Sequence, residues 1–466
     1  MGTGTLHDFR ARATLLTQPA IAPSSLPKQF LSYCELLELL FGILEEHSVR
    51  YCVLHSWQAL PSEMLHDLDM AVHPSDVAKL AEVFHRLRKE GCLPVHCADD
   101  AVRGYCIEVA YLQSKVLSFV RVNFMVDFWE EGLGSGEALV AGRQRQANFW
   151  VASPANEFSY VLAKYGLKGT ISAGQERRLQ ELLEELGFSH AQSIAGELFG
   201  KKWREQVIHS CSRGCAAAVL LRFQRRQWFE RFGRNPLKLA RCVFRRNLRS
   251  IRRWFQPPGL FLVILGPDGV GKSTVVQRVG ETFGGLFRGY RVFHCRPFVL
   301  RRINEVQRPL GCPHHRPARG AWISGGFLLG FLLDCWLGYL LVTRNLLARS
   351  GLVIFDRYLH DVLVDPARYR YGGPMWLASL LCQWAPPSAL LFLVLDADEE
   401  VILGRKRDLP LDEVRRQRKA YQEFVAASSR AVLVDSGDNI EQSSTNAFRA
   451  VLEHLSQRSQ VRPLPG

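Results

Sequence analysis

The stretch LVILGPDGVGKSTVVQRVG, residues 262–280, brings together residue types that hold phosphate. Gly266 to Ser273 spell G-x-x-x-x-G-K-S between a β-branched apolar run and an apolar-periodic segment, the strand–turn–helix setting of a P-loop. Gly266, Gly269 and Gly271 let the backbone curl around a phosphate chain, its N–H groups turned inward at a helix N-terminus. Lys272 can reach the β- and γ-phosphates, the Ser273 hydroxyl can ligate Mg²⁺, and Thr274 adds a second hydroxyl. This spacing predicts binding of ATP with Mg²⁺.

Further charged groups could do chemistry beside this turn or apart from it. The apolar run ending in Asp356-Arg357 sets a carboxylate and a guanidinium at the carboxyl end of a predicted strand, where α/β sheets bind ligands. Arg405, Lys406 and Arg407 form a cationic run downstream, readable as phosphate-facing cations or as a solvated face. In the N-terminal half, Asp67 and Asp69 stand two apart in DLDMAV, on one face of a predicted strand, and Asp127 ends a later one. Three carboxylates so arranged can bind one or two Mg²⁺ and orient a nucleoside triphosphate.

GPDGVGKST (266–274), GLVIFDRYLHD (351–361) and LFLVLDADEEVILGRKRDLPLDEVRRQRKAYQEF (391–424), in that order, resemble the thymidylate kinase family of P-loop kinases over roughly residues 258–458. The resemblance implies a phosphoryl transfer from ATP to a phosphorylated acceptor such as a nucleoside monophosphate. It implies that Asp268 faces the acceptor's sugar hydroxyl, that Asp356 orders Mg²⁺ and its waters, and that Arg357 lies near the transferred or acceptor phosphate. Lys272 and the lid cations Arg405, Lys406 and Arg407 would neutralise charge on the transferring group. The family's Arg-Glu-Pro-Gly-Gly-Thr-like segment has no counterpart in residues 294–320, whose many arginines still suit an anionic acceptor. YCVLHSWQALPSEMLHDLDMAV (51–72) resembles the nucleotidyltransferase superfamily, with His55-Ser56 where that superfamily carries a Gly-Gly or Gly-Ser turn.

The elements that must position these groups follow from pattern and composition. A chain of 466 residues with 47% apolar content predicts two or three domains. We expect an α/β protein: a loose tail at 1–28, an α+β nucleotidyltransferase-like domain at 29–150, a helical basic segment at 151–256 and a P-loop domain at 257–460. That last domain is expected to form a parallel sheet with flanking helices, its strands at 260–265, 290–294, 352–355, 390–395 and 431–434. Residues 321–342 are long enough to cross a membrane, but Asp334 interrupts them and they fall between two strands of one sheet. They are expected to form a buried helix covering that sheet.

The net charge of +14 suggests anionic partners, and residues 201–260 hold 16 Lys/Arg against 2 Glu. Within residues 222–254, arginines alternate with Trp228, Phe229, Phe232, Phe244 and Trp254. Packing between domains, peripheral contact with an anionic membrane and a polynucleotide partner all remain open; no nucleic-acid motif favours the last. Twelve scattered cysteines read as reduced thiols of a cytoplasmic protein, and MGTGTLHDFRARATLL lacks a signal-peptide pattern. His294, Cys295, Cys312, His314 and His315 lack paired metal-ligand spacing. Three functions remain: a small-molecule kinase, a nucleotidyltransferase with an accessory ATP-binding domain, and an ATP-gated protein binding an anionic surface.

Overall fold

The computed structural model describes residues 31–60, 67–90, 92, 94–100, 104–113, 116–128, 133–168, 171–214, 244, 247–248, 250–295, 317–386, 391–406, 409–437 and 439–460. The described residues divide into two compact units, one of residues 31–248 with the last turns of the final helix from Leu455, the other of Ser250–His454.

The N-terminal unit opens with α1 (Tyr33–Glu46), started by a capping box in which the Ser32 hydroxyl accepts from the Glu35 N–H and the Glu35 carboxylate accepts from the Ser32 N–H. Its apolar residues recur at helical spacing and bury Leu37, Leu40 and Leu44. Strands β1 (Tyr51–Val53), β2 (Asp67–Val72), helix α2 (Leu80–Lys89), β3 (Pro94–Asp100), β4 (Gly104–Gln113) and β5 (Val116–Met125) follow. A two-strand ribbon, β6 (Asp127–Phe128) with β7 (Gly134–Ser135), leads into α3 (Gly136–Ala141), β8 (Gln144–Gln146) and β9 (Phe149–Val151). The main sheet has the mixed order β3-β4-β5-β2-β1-β9-β8, with β2 parallel to β5 and β1 parallel to β9. Helices α4 (Pro154–Lys168), α5 (Ala173–Leu186), α6 (Phe188–Phe199) and α7 (Arg204–Ser212) then share a core of Phe158, Leu162, Leu179, Leu182, Ala195 and Ile208.

The C-terminal unit is a mixed α/β structure around a five-stranded, wholly parallel sheet. Its elements are β10 (Leu260–Leu265), α8 (Lys272–Gly284), β11 (Tyr290–His294), α9 (Ala321–Ala348, with one π turn at Tyr339–Thr343), β12 (Leu352–Asp356), α10 (Asp361–Val364) and α11 (Met375–Gln383). They continue with β13 (Leu391–Asp396), α12 (Glu399–Arg405), α13 (Leu411–Ala427), β14 (Ala431–Asp435) and α14 (Ile440–Gln460). The strand order is β11-β12-β10-β13-β14, all parallel. The three central strands are continuous apolar runs buried on both faces, as helix-covered parallel strands must be. The P-loop follows β10 and Asp356 ends the adjacent β12, so the topology itself sets them side by side.

Helix α9 departs from the expectation of burial. Leu328, Phe331, Leu332 and Cys335 join Phe261, Val263 and Phe355 in the core, whereas Trp322, Leu329, Leu333, Trp336 and Leu340 are exposed. The sheet covers only one side of a helix that is apolar all round.

A histidine packed among aromatic rings gives this unit a pH-dependent stability. His360 is enclosed by the rings of Tyr358, Phe392 and Phe424, and its Nδ1 finds no hydrogen-bond partner among the described residues. Burial lowers its pKa from 6.5 to about 4. The unfolded chain therefore takes up a proton below pH 6.5 that the folded chain refuses, and stability falls with pH until about pH 4. Between pH 7.5 and pH 5 the expected loss is about 2 kcal/mol. Denaturant titrations at the two pH values should show it, and His360→Phe should remove most of the difference.

Candidate functional site

The P-loop takes the backbone form its glycines permit. Gly269 and Gly271 have φ of +90° and +98°, and a Cβ at Gly269 would stand 2.9 Å from the Ile402 carbonyl. Lys272 begins α8 and turns back over the loop, its Nζ donating to the carbonyls of Gly266 at 2.8 Å and Pro267 at 2.7 Å. Burial, then the nearby Arg357 charge, lowers the Lys272 pKa to about 7. Gly266, Asp268, Gly269, Gly271, Lys272, Ser273 and Thr274 thus lie on one turn and the first turn of one helix, with Ser273 exposed.

Asp268 is the centre of a cation cluster. Arg357 donates to one of its oxygens and Arg368 to the other, Lys272 Nζ lies 3.5 Å away and Lys406 Nζ 3.8 Å. Burial raises the Asp268 pKa, but Arg357, Lys272 and Arg368 outweigh it and hold the carboxyl well below the usual carboxylate range. Arg357 is fixed on its other side by Asp361 at 2.6 Å, which also accepts from Tyr369 at 3.0 Å and Tyr421 at 2.5 Å. Arg357 has φ +70°, a left-handed conformation that costs about 1–3 kcal/mol in a non-glycine residue. Its N–H bonds the Ile264 carbonyl at 3.0 Å, which ties the turn after β12 to β10.

Asp356 supplies a carboxylate at the edge of the same site. One oxygen lies 3.1 Å from His294 Nδ1, at the end of β11. The other, Oδ1, is buried and finds no hydrogen-bond partner among the described residues. A buried, unpaired carboxylate oxygen beside a phosphate-binding loop fits a hard divalent cation, and Mg²⁺ is commonly held by one or two carboxylates plus substrate phosphates. Arg405 is placed differently from Lys406: its NH1 reaches the carbonyls of Val270 at 3.4 Å and Ser436 at 3.1 Å, so it braces the outer wall of the loop. Arg407 lies outside the described residues.

The three N-terminal carboxylates stand on two elements, Asp67 and Asp69 on β2 and Asp127 on β6. Parallel pairing sets Asp69 opposite Asn123, and Asp127 lies beyond the end of β5, at the start of β6. Asp67 is half-exposed, 3.6 Å from Arg121. Asp69 is buried and surrounded by donors: Lys164, Tyr160 at 3.0 Å, Asn123 at 2.7 Å and His55 at 3.1 Å. Burial raises its pKa, but the His55 hydrogen bond and the Lys164 charge hold it well below the ordinary range. Among the described residues, no group of three or more His, Cys, Asp or Glu is placed to hold a metal ion. The structure thus brings Asp69 together with Lys164 and His55 in a buried cluster.

Several contributors were missing from the sequence reading. Arg368, Asp361, Tyr369 and Tyr421 carry no spacing signal relative to the P-loop; the density of charged and tyrosine residues in DRYLHDVLVDPARYRY (356–371) was the available hint. Cys312, His314 and His315 lie outside the described residues, as does most of residues 222–254. Cys295 Sγ stands 3.7 Å from the Tyr369 hydroxyl.

No protein-family profile matches the chain, and no curated protein matches it. Among solved structures, one similar chain is a thymidylate kinase from Ehrlichia chaffeensis, with 14% identity, a TM-score of 0.30, and coverage of 41% of this chain and 98% of that one. A likeness at that score and identity establishes neither kinship nor activity.

Proposed function

We propose that the C-terminal unit transfers a phosphoryl group from ATP to a phosphorylated small-molecule acceptor, with a nucleoside monophosphate as the leading class. The observation that carries this reading is the cluster of Lys272, Arg357, Arg368 and Lys406 around Asp268, directly beside the P-loop. A P-loop that only bound nucleotide would need its own lysine and little more. The three further cations, Arg357, Arg368 and Lys406, provide for the charge of a second phosphate group.

Phosphoryl transfer leaves little covalent work to the protein, so positioning and charge make up the mechanism. Loop N–H groups and Lys272 would hold the β- and γ-phosphates of ATP. Ser273 and the unpaired Asp356 oxygen would hold Mg²⁺, which when bound supplies charge neutralisation across the phosphates. Arg357 and Arg368 would seat the acceptor's phosphate, and Asp268 would accept a hydrogen bond from an acceptor hydroxyl. Asp361, Tyr369 and Tyr421 keep Arg357 in place. Arg405 supports the loop from behind rather than meeting the transferred group. A cytoplasmic setting, where ATP and Mg²⁺ are available, belongs to the same proposal.

The nucleotidyltransferase alternative loses ground because Asp69 is saturated by Lys164, Tyr160, Asn123 and His55. ATP turnover should be measured with a panel of nucleoside monophosphates and sugar phosphates, and repeated with Asp69→Asn in protein shown to remain folded. Acceptor-stimulated turnover that survives Asp69→Asn supports the kinase reading. Turnover abolished by Asp69→Asn, or ATP bound with no acceptor used, would overturn it.

A further inference from the structure

Helices α9 and α11 present a surface that the phosphate chemistry does not use. Along α9, Trp322, Leu329, Leu333, Trp336 and Leu340 follow one another at helical spacing, all exposed, in a strip about 27 Å long. Helix α11 and the residue after it add Trp376 and Trp384, and Trp336 Nε1 donates to the Trp384 carbonyl at 3.0 Å. Trp322 is 95% exposed and Trp376 68%. Contiguous apolar surface of this kind marks an interaction site.

Charge decides what it meets. Residues 250–256, 317–350 and 371–386 contain a single acidic residue, Asp334, and that one is buried. The same segments carry Arg319 near one end of the strip and Arg344 and Arg349 near the other. Arg344 lies 5.8 Å from the centroid of the Trp254 ring, so the helical stretch 250–255 extends the surface with Arg252, Arg253 and an exposed Phe255. A second copy docked across a two-fold axis would set the same arginine-bearing surface against itself. An anionic lipid surface complements it, because it neutralises the arginines and accepts indole rings at the headgroup level. A spanning helix is excluded by packing: Leu328, Phe331 and Leu332 of α9 are built into the core of the sheet.

We infer that the α9–α11 face binds an anionic lipid surface, with α9 lying in the plane of the interface. This inference is independent of the kinase reading. The 466-residue chain should co-sediment with vesicles of equal parts phosphatidylcholine and phosphatidylglycerol at low salt, and remain in solution with phosphatidylcholine alone. Leu333→Glu and Trp376→Glu, neither in the phosphate site, should each weaken vesicle binding by roughly tenfold or more while leaving Mg²⁺–ATP binding unchanged. Quenching of wild-type tryptophan fluorescence by brominated phosphatidylglycerol gives a readout that needs no variant, and strong quenching is expected. The inference is overturned if wild type stays in solution with both vesicle types, if the variants pellet like wild type, or if Leu333→Glu converts a dimer into a monomer with no vesicle binding in either form.

Discussion

Lys272→Ala is expected to reduce phosphoryl transfer by roughly 10³-fold or more while leaving the fold intact. Among the described residues the side chain bonds to carbonyls of its own loop and to nearby Asp268, so its loss opens no apolar cavity. Its titration provides a second signature. With a pKa of about 7 in the ligand-free site, part of the Lys272 population is neutral above neutrality. Bound phosphate favours the ammonium form, so ATP binding above pH 7 should draw in a proton and affinity should weaken as pH rises. Calorimetry in buffers of different ionisation enthalpy measures that uptake, and Lys272→Ala should remove it. A folded Lys272→Ala protein with undiminished turnover contradicts the proposed mechanism.

Asp356→Asn is expected to lower turnover by roughly 10²–10³-fold, with a much smaller change in nucleotide affinity. The substitution keeps the shape of the side chain and an oxygen for His294, but replaces the carboxylate proposed to hold Mg²⁺. Burial raises the Asp356 pKa, while the His294 hydrogen bond and the Lys272 charge lower it further than burial raises it, so the group is ionised at neutral pH. Single-turnover kinetics with separate measurement of ATP binding give the two quantities. Equal losses in both would make Asp356 a binding group only. Arg357→Ala is a poorer probe, because it leaves buried Asp361 without its guanidinium and costs the fold about 3–5 kcal/mol.

The parallel sheet was largely legible in the sequence because its central strands are unbroken apolar runs. Residues 260–265 and 290–294 form the strands expected of them, and the P-loop glycines adopt the conformations their type permits. The antiparallel β3–β4 pair at the edge of the N-terminal sheet was not anticipated, since it lacks such runs. Site residues that share a strand–turn unit were found; those joined only by tertiary contact were not. Arg368 reaches Asp268 across 100 positions and Lys164 reaches Asp69 across 95, separations over which spacing carries no information. Strand register, which sequence order does not show, sets Asn123 opposite Asp69. The exposure of α9 was hidden for another reason: a helix apolar all round shows no preferred face in its sequence.

Parallel reactions with ATP labelled at the γ- or the α-phosphate, run with the same acceptor panel, test the central proposal most directly. The proposal predicts that γ-label moves to an acceptor, that α-label stays in ADP, and that Lys272→Ala stops the transfer. Incorporation of α-label into an acceptor would contradict it, as would bound ATP from which neither label moves.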